Sequence, residues 1–132
     1  MRLWVAVAVL VAVGIVQAGE SIDAIFNRLV KVDRFAFGPT GYAGVISQGE
    51  KDYRSVLSRP SAIADFERLY SMGNPQAKSY ALVGIGKLSP GRFKELSDSL
   101  RNSRDEVLTQ SGCIVYHESF AAILKRIEAG QY

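Results

Sequence analysis

The chain has 132 residues, 48% of them hydrophobic and 22% charged, with a net charge of +3, one histidine and one cysteine. That length allows one domain that folds on its own core without a metal or disulfide framework. A lone cysteine excludes an internal disulfide. Opposite charges alternate, as in Lys51-Asp52, Glu67-Arg68 and Arg104-Asp105-Glu106, leaving no basic stripe for nucleic acid.

Residues 1–18 read as a secretory signal. Arg2 precedes an apolar run from Leu3 to Val16, and Val16-Gln17-Ala18 ends it on a small residue where a peptidase can cut. The run falls short of the roughly 20 residues that span a bilayer core. Cleavage between Ala18 and Gly19 is therefore expected, giving a secreted or periplasmic protein with membrane attachment only if the signal is retained. The mature part, residues 19–132, keeps 114 residues with 15 basic against 13 acidic side chains.

Ser21 opens the first predicted helix. Ile22, Ile25, Phe26, Leu29 and Val30 share one face, with Asp23 in the first turn and Lys31 in the last. From Asp33 to Ile46 the periodicity fails: Phe35 to Gly44 holds three glycines, one proline and three aromatics, which predicts a turn-rich loop folded back onto the helices. Ser47-Gln48-Gly49-Glu50 has the form of a capping box, and the helix after it presents Tyr53, Val56 and Leu57. Pro60 is expected to open the next helix, with Ile63, Phe66, Leu69 and Tyr70 inward and Gly73 as its stop. Asn74-Pro75 repeats the start signal before a stripe of small residues, Ala77, Ala81 and Gly84, suited to close helix contact. Tyr80 to Ile85 also permits a strand reading. Ser89-Pro90 starts a helix with Phe93, Leu96 and Leu100 inward. Val107-Leu108-Thr109 and Cys113 to Tyr116 flank Ser111-Gly112, predicting a small hairpin near 107–116 before a last helix at about 119–129.

Helix starts near 47, 60, 75 and 90 make helix pairs recur at about thirty residues, with Pro60 and Pro90 in equivalent places. Residues 75–100, above all Ala77-Lys78-Ser79-Tyr80-Ala81-Leu82-Val83-Gly84-Ile85, resemble a HEAT-like helical pair. That family's aspartate and arginine at the inter-helix turn are missing here. The expected fold is mainly α, either a small helical bundle or a short HEAT-like α-α repeat stack, with the minor hairpin.

Cys113 and His117 are the residues from which thiol chemistry could be built, since a thiolate nucleophile needs a nearby base. A Cys-x3-His pair with no further Cys or His falls short of a zinc site. With apolar Ile114 and Val115 beside it and no neighbouring Lys or Arg, Cys113 is expected to be a buried, unreactive thiol. The second candidate site is the loop with Phe37, Gly38, Gly41 and Tyr42, whose glycines can turn amides towards a ligand. It lacks the Gly-Lys-Ser/Thr of a phosphate loop and the spacing of a dinucleotide fingerprint, so Phe37 and Tyr42 are expected to pin it to the core. Glu50, Asp52, Asp65 and Glu67 offer carboxylates by type alone, Glu50 explained by the capping box and the others by polar helix faces. No motif calls for a cofactor or metal. The sequence reads as an exported, non-enzymatic helical domain that binds a protein or envelope component. Its rivals are a small-molecule or lipid binder using loop 35–44 and a thiol-dependent hydrolase or redox protein using Cys113 and His117.

Overall fold

The computed structural model describes residues 19–132, so the signal expected over 1–18 lies outside the described residues. Among those described are six helices and two small antiparallel hairpins, a mainly α fold. In chain order they are α1 (Ile22–Val30), β1 (Pro39–Thr40), β2 (Val45–Ile46), α2 (Gln48–Leu57), α3 (Ala62–Met72), α4 (Pro75–Leu88), α5 (Pro90–Leu100), β3 (Glu106–Ser111), β4 (Ile114–Ser119) and α6 (Phe120–Glu128). No helix among them is long and apolar enough to cross a membrane.

Helix starts are set by side chains that accept from otherwise unpaired amides. Ser21 takes Ala24 N–H, Ser47 takes Glu50 N–H, Asn74 takes Ala77 N–H and Ser119 takes Ala122 N–H, at 2.8–3.3 Å. Two starts differ from expectation. Pro60 lies in the turn before α3, which begins at Ala62 after Ser61, so it does not match Pro90 at the first position of α5. The capping box is half made: Glu50 does not return Ser47's bond, because its carboxylate is drawn elsewhere.

α4 is the central element, a helix throughout the stretch that also permitted a strand. Ala77 and Ser79 to Ile85 are buried, so the helix is enclosed on nearly every side, by α2, α3, α5, α6 and β3. Close approach to α3 depends on Gly84: a Cβ built there would lie 2.3 Å from Phe66 Cε2. Leu29, Tyr53, Val56, Phe66, Leu69, Phe120, Ile123 and Leu124 complete a single core. Ile63, expected inward, is 45% exposed on the outer side of α3; Ala62 and Asp65 take the inner positions instead.

The 33–46 segment is tied to this core as expected, through Phe35 and Phe37. Their rings meet Tyr80 at 4.9 and 5.4 Å between centroids, in edge and tilted arrangements. Buried Tyr80 Oη accepts from Ala36 N–H at 3.0 Å and donates to Ala36 C=O at 2.8 Å, giving one loop residue both its backbone partners. Burial raises the Tyr80 phenol above the ordinary 10.0, keeping that donor protonated.

Candidate functional site

The two hairpins meet at their tips. Phe35 N–H donates to Leu108 C=O at 2.9 Å and Gln110 N–H donates to Phe35 C=O at 3.1 Å, laying the start of the loop along β3. Beyond it, Gly41 N–H donates to Gly112 C=O at 3.0 Å, joining the turn between β1 and β2 to the turn of β3–β4. Behind these contacts stands a buried carboxylate. Glu50, 1% exposed, accepts Gly38 N–H at 2.8 Å and the Arg54 guanidinium at 2.5 Å. Gly38 holds φ +77°, where a side chain is strained, so its identity serves the turn.

Outside this tethered frame sit apolar side chains that the core does not take. Tyr42 is 104% exposed, Val45 59%, Ile114 62%, Val115 42% and Tyr116 40%. Tyr42 thus departs from the expectation that it pins the loop: the Gly41–Gly112 bond carries the turn out past the core, and of the loop's three aromatics Phe35 and Phe37 pack inward. The exposure on β4 follows from strand geometry. Successive residues face opposite sides, so Ile114, Val115 and Tyr116 cannot all reach one core. That contiguous apolar run beside Gly112-Cys113 was the sequence signal for this surface, and reasoning from apolar neighbours to burial missed it.

Cys113 departs from expectation for the same reason. It occupies the two-residue turn with Gly112 and is exposed, the apolar character of Ile114 and Val115 notwithstanding. His117 lies four residues further along an extended strand, about 13 Å away between Cα atoms. It pairs across the hairpin with Leu108, and its Nδ1 faces Glu106 Oε2 at 3.3 Å, both side chains well exposed. The fold therefore separates thiol and imidazole. Among the described residues, no three His, Cys, Asp or Glu side chains converge as metal ligands.

The loop candidates separate as well. Gly38 and Gly41 have committed their amides within the chain, Phe37 packs against Tyr53 and Tyr132, and Tyr42 faces solvent. A recess of about 220 Å³ lies beneath Phe35, Phe37, Tyr116 and Tyr132, smaller than the roughly 300–1,000 Å³ of ordinary ligand pockets. Its polar side is closed by Arg126, which grips Glu118 with both terminal nitrogens, one bond at 2.7 Å, and donates from Nε to Tyr132 Oη at 2.8 Å. The guanidinium holds the Glu118 carboxyl below the ordinary 4.5.

The remaining carboxylates that the sequence offered are each ion-paired within the fold, with Arg28, Arg59 and Arg92 in turn. Asp52 is buried, not on a polar face, and takes Arg28 at 2.6 and 2.7 Å with Gln48 at 2.9 Å. Asp65, also buried, accepts Arg59 and Ser61 at 3.0 and 2.8 Å, while Glu67 pairs with Arg92 at 2.6 Å. Other recesses open on the surface. One of about 420 Å³ lies between α4, α5 and α6 over Val83, Gly86, Phe93 and Ile127. Another, of about 540 Å³, lies beside α1 and the start of α2, with Lys31 and Arg34 at its rim. A third, of about 350 Å³, lies over Ile22, Ile25, Ser55 and Arg59. No family model, curated protein or solved structure matches the chain.

Proposed function

We propose that this chain is an exported, non-enzymatic protein-binding module whose contact face is the pair of joined hairpin tips. One observation carries the reading: five large apolar side chains, Tyr42, Val45, Ile114, Val115 and Tyr116, stand exposed on two hairpins joined by the Gly41–Gly112 bond and anchored through Gly38 to Glu50. Exposed apolar groups on a pre-ordered frame are what protein partners bury, and aromatic residues carry much of that binding energy. Export follows from the apolar run and small-residue end of residues 1–18. The helical pair α4–α5, with its HEAT-like sequence, belongs to the scaffold in this reading, since its small and apolar stripe is spent inside the core.

Capture tests the proposal. The protein recovered from a secreting host is immobilised and exposed to envelope extract or culture fluid of its own source. A parallel sample carries Tyr42→Ser, Ile114→Ser and Tyr116→Ser together. A partner retained by the native surface and lost by the variant, with unchanged circular dichroism, is the expected result. Equal retention by both, or retention by neither, refutes the assignment of this face.

A further inference from the structure

We infer that β4 is a self-pairing edge, on which a second copy of this chain docks its own β4 antiparallel about a two-fold axis at Tyr116. The inference rests on the hairpin tips being a contact face and names a second copy as the occupant of one part of it.

The hydrogen-bond pattern fixes which backbone groups are free. Leu108 C=O and Gln110 N–H are used by Phe35, on the side of β3 away from β4. In an antiparallel ladder the directions alternate, so Thr109 turns its groups towards β4 and forms the hydrogen-bonded pair with Tyr116. Val115 and His117 then turn their N–H and C=O outward. Among the described residues, no backbone group takes them up. The edge is open where Val115 and His117 lie, both exposed.

Open strand edges are ordinarily guarded by Lys, Pro or an inward charge. β4, Ile-Val-Tyr-His-Glu-Ser, has no Lys, Arg or Pro. Its one carboxylate, Glu118, is neutralised by Arg126, and His117 faces Glu106 of its own chain. A two-fold axis at Tyr116 sets Val115 opposite His117 of the other copy, and the reverse. All four outward pairs of donors and acceptors are then used, and no like charges oppose one another. Tyr116 meets its own copy at the non-hydrogen-bonded position, and Ile114 lies across from the compensated Glu118. A foreign strand must supply a free edge of its own; a second copy brings one already in register.

The area sets the strength. Three partly exposed apolar side chains, His117 and the strand edge offer on the order of 400 Å² per copy, below the roughly 800 Å² of a standard interface. The dimer is therefore reversible and concentration-dependent. Cys113 plays no part: in this register the two thiols lie about 20 Å apart along the strands.

Sedimentation equilibrium on the protein recovered from a secreting host, in reducing buffer, tests the pairing from about 10 µM to about 1 mM. The expected result is a monomer–dimer equilibrium within that range. Val115→Pro removes an outward N–H without touching the β3–β4 ladder, and the symmetric pair loses two bonds. Its dissociation constant should rise at least about 30-fold with unchanged circular dichroism. Register is read in a Cys113→Ser background. Tyr116→Cys should oxidise to a covalent dimer, because its copies face each other at about 4.5 Å between Cα atoms, whereas Val115→Cys should not. A chain monomeric throughout, a dimer indifferent to Val115→Pro, or cross-linking at 115 in preference to 116 overturns the inference. If the chain is monomeric yet the captured partner is still lost with the triple serine variant, the self-pairing is wrong and the contact face stands.

Discussion

Gly84→Ala adds one methyl group at the tightest point of the core. Its Cβ would sit 2.3 Å from Phe66 Cε2 and 2.5 Å from both Cδ2 and Cζ. Ordinary carbon contacts begin near 3.5 Å, so the ring must withdraw by about 1.2 Å. Phe66 is fully buried, with the Tyr53 ring 5.6 Å away between centroids, so its withdrawal must displace other core side chains. Overpacking costs about 1–3 kcal/mol, and contact with three ring atoms places this site at the upper end. Alanine returns about 1 kcal/mol over glycine in a helix interior, leaving a net loss of about 2 kcal/mol. Urea titration followed by circular dichroism measures it, with Gly91→Ala as the internal control. A Cβ at Gly91, in the first turn of α5, meets nothing within 4 Å, so that variant should equal or exceed the parent in stability. Gly84→Ala matching or exceeding the parent would refute the claim that this glycine exists for the α3–α4 approach.

Glu50→Ala strips Gly38 N–H of its acceptor inside the protein and should cost about 1–3 kcal/mol, with faster proteolysis in residues 38–46. Cys113 should react with thiol reagents in the native state nearly as fast as after denaturation, and His117→Ala should leave the rate unchanged; slow native labelling would contradict the exposed turn. Arg126 holds Glu118 below its ordinary 4.5, so the stability from that pair is complete above this value and is lost as pH falls through the lowered folded one. Glu118→Gln should flatten the acid limb of a plot of urea midpoint against pH, and an unchanged limb would assign it to other carboxylates such as Glu67, which Arg92 lowers in the same way.

Helix starts were legible because a cap is local: Ser21, Ser47, Asn74 and Ser119 act on amides three residues away, within reach of any reading of the chain. The β3–β4 hairpin was legible for a similar reason, from apolar runs on either side of Ser111-Gly112. What escaped was set by contacts between distant segments. Glu50 looked like Ser47's partner, but Gly38 N–H arrives from twelve residues upstream and Arg54 from a turn downstream. Tyr42 looked like an anchor until Gly41 was bound to Gly112, seventy-one positions away in the chain. Pro60 misled in the opposite way, since proline is equally at home in the turn before a helix. The candidate site was therefore legible in part by residue type and illegible by direction: Tyr42 and the run Ile114 to Tyr116 were in view, whereas the β1–β2 hairpin with Val45 was read as loop, and which side chains faced outward depended on long-range bonds.

The double bond between Tyr80 and Ala36 changes how the molecule must come apart. Loops held by their own turns open and close independently of the body, and their amides exchange with solvent through small fluctuations. Ala36 has both of its backbone groups on a hydroxyl that projects from the middle of α4, and Gly49 closes over that hydroxyl from α2, where even a Cβ would lie 2.7 Å from it. Releasing Ala36 thus uncovers the centre of the core. Residues 33–37 belong to the same cooperative unit as α4, and the Ala36 amide should exchange only as fast as the whole domain unfolds. The exposed turn around Tyr42 is held by bonds within its own hairpin and by Gly41–Gly112, none of which reaches α4, so it should form a separate and less protected unit. A boundary between slow and fast exchange therefore runs through a loop of fourteen residues whose sequence gives no hint of it.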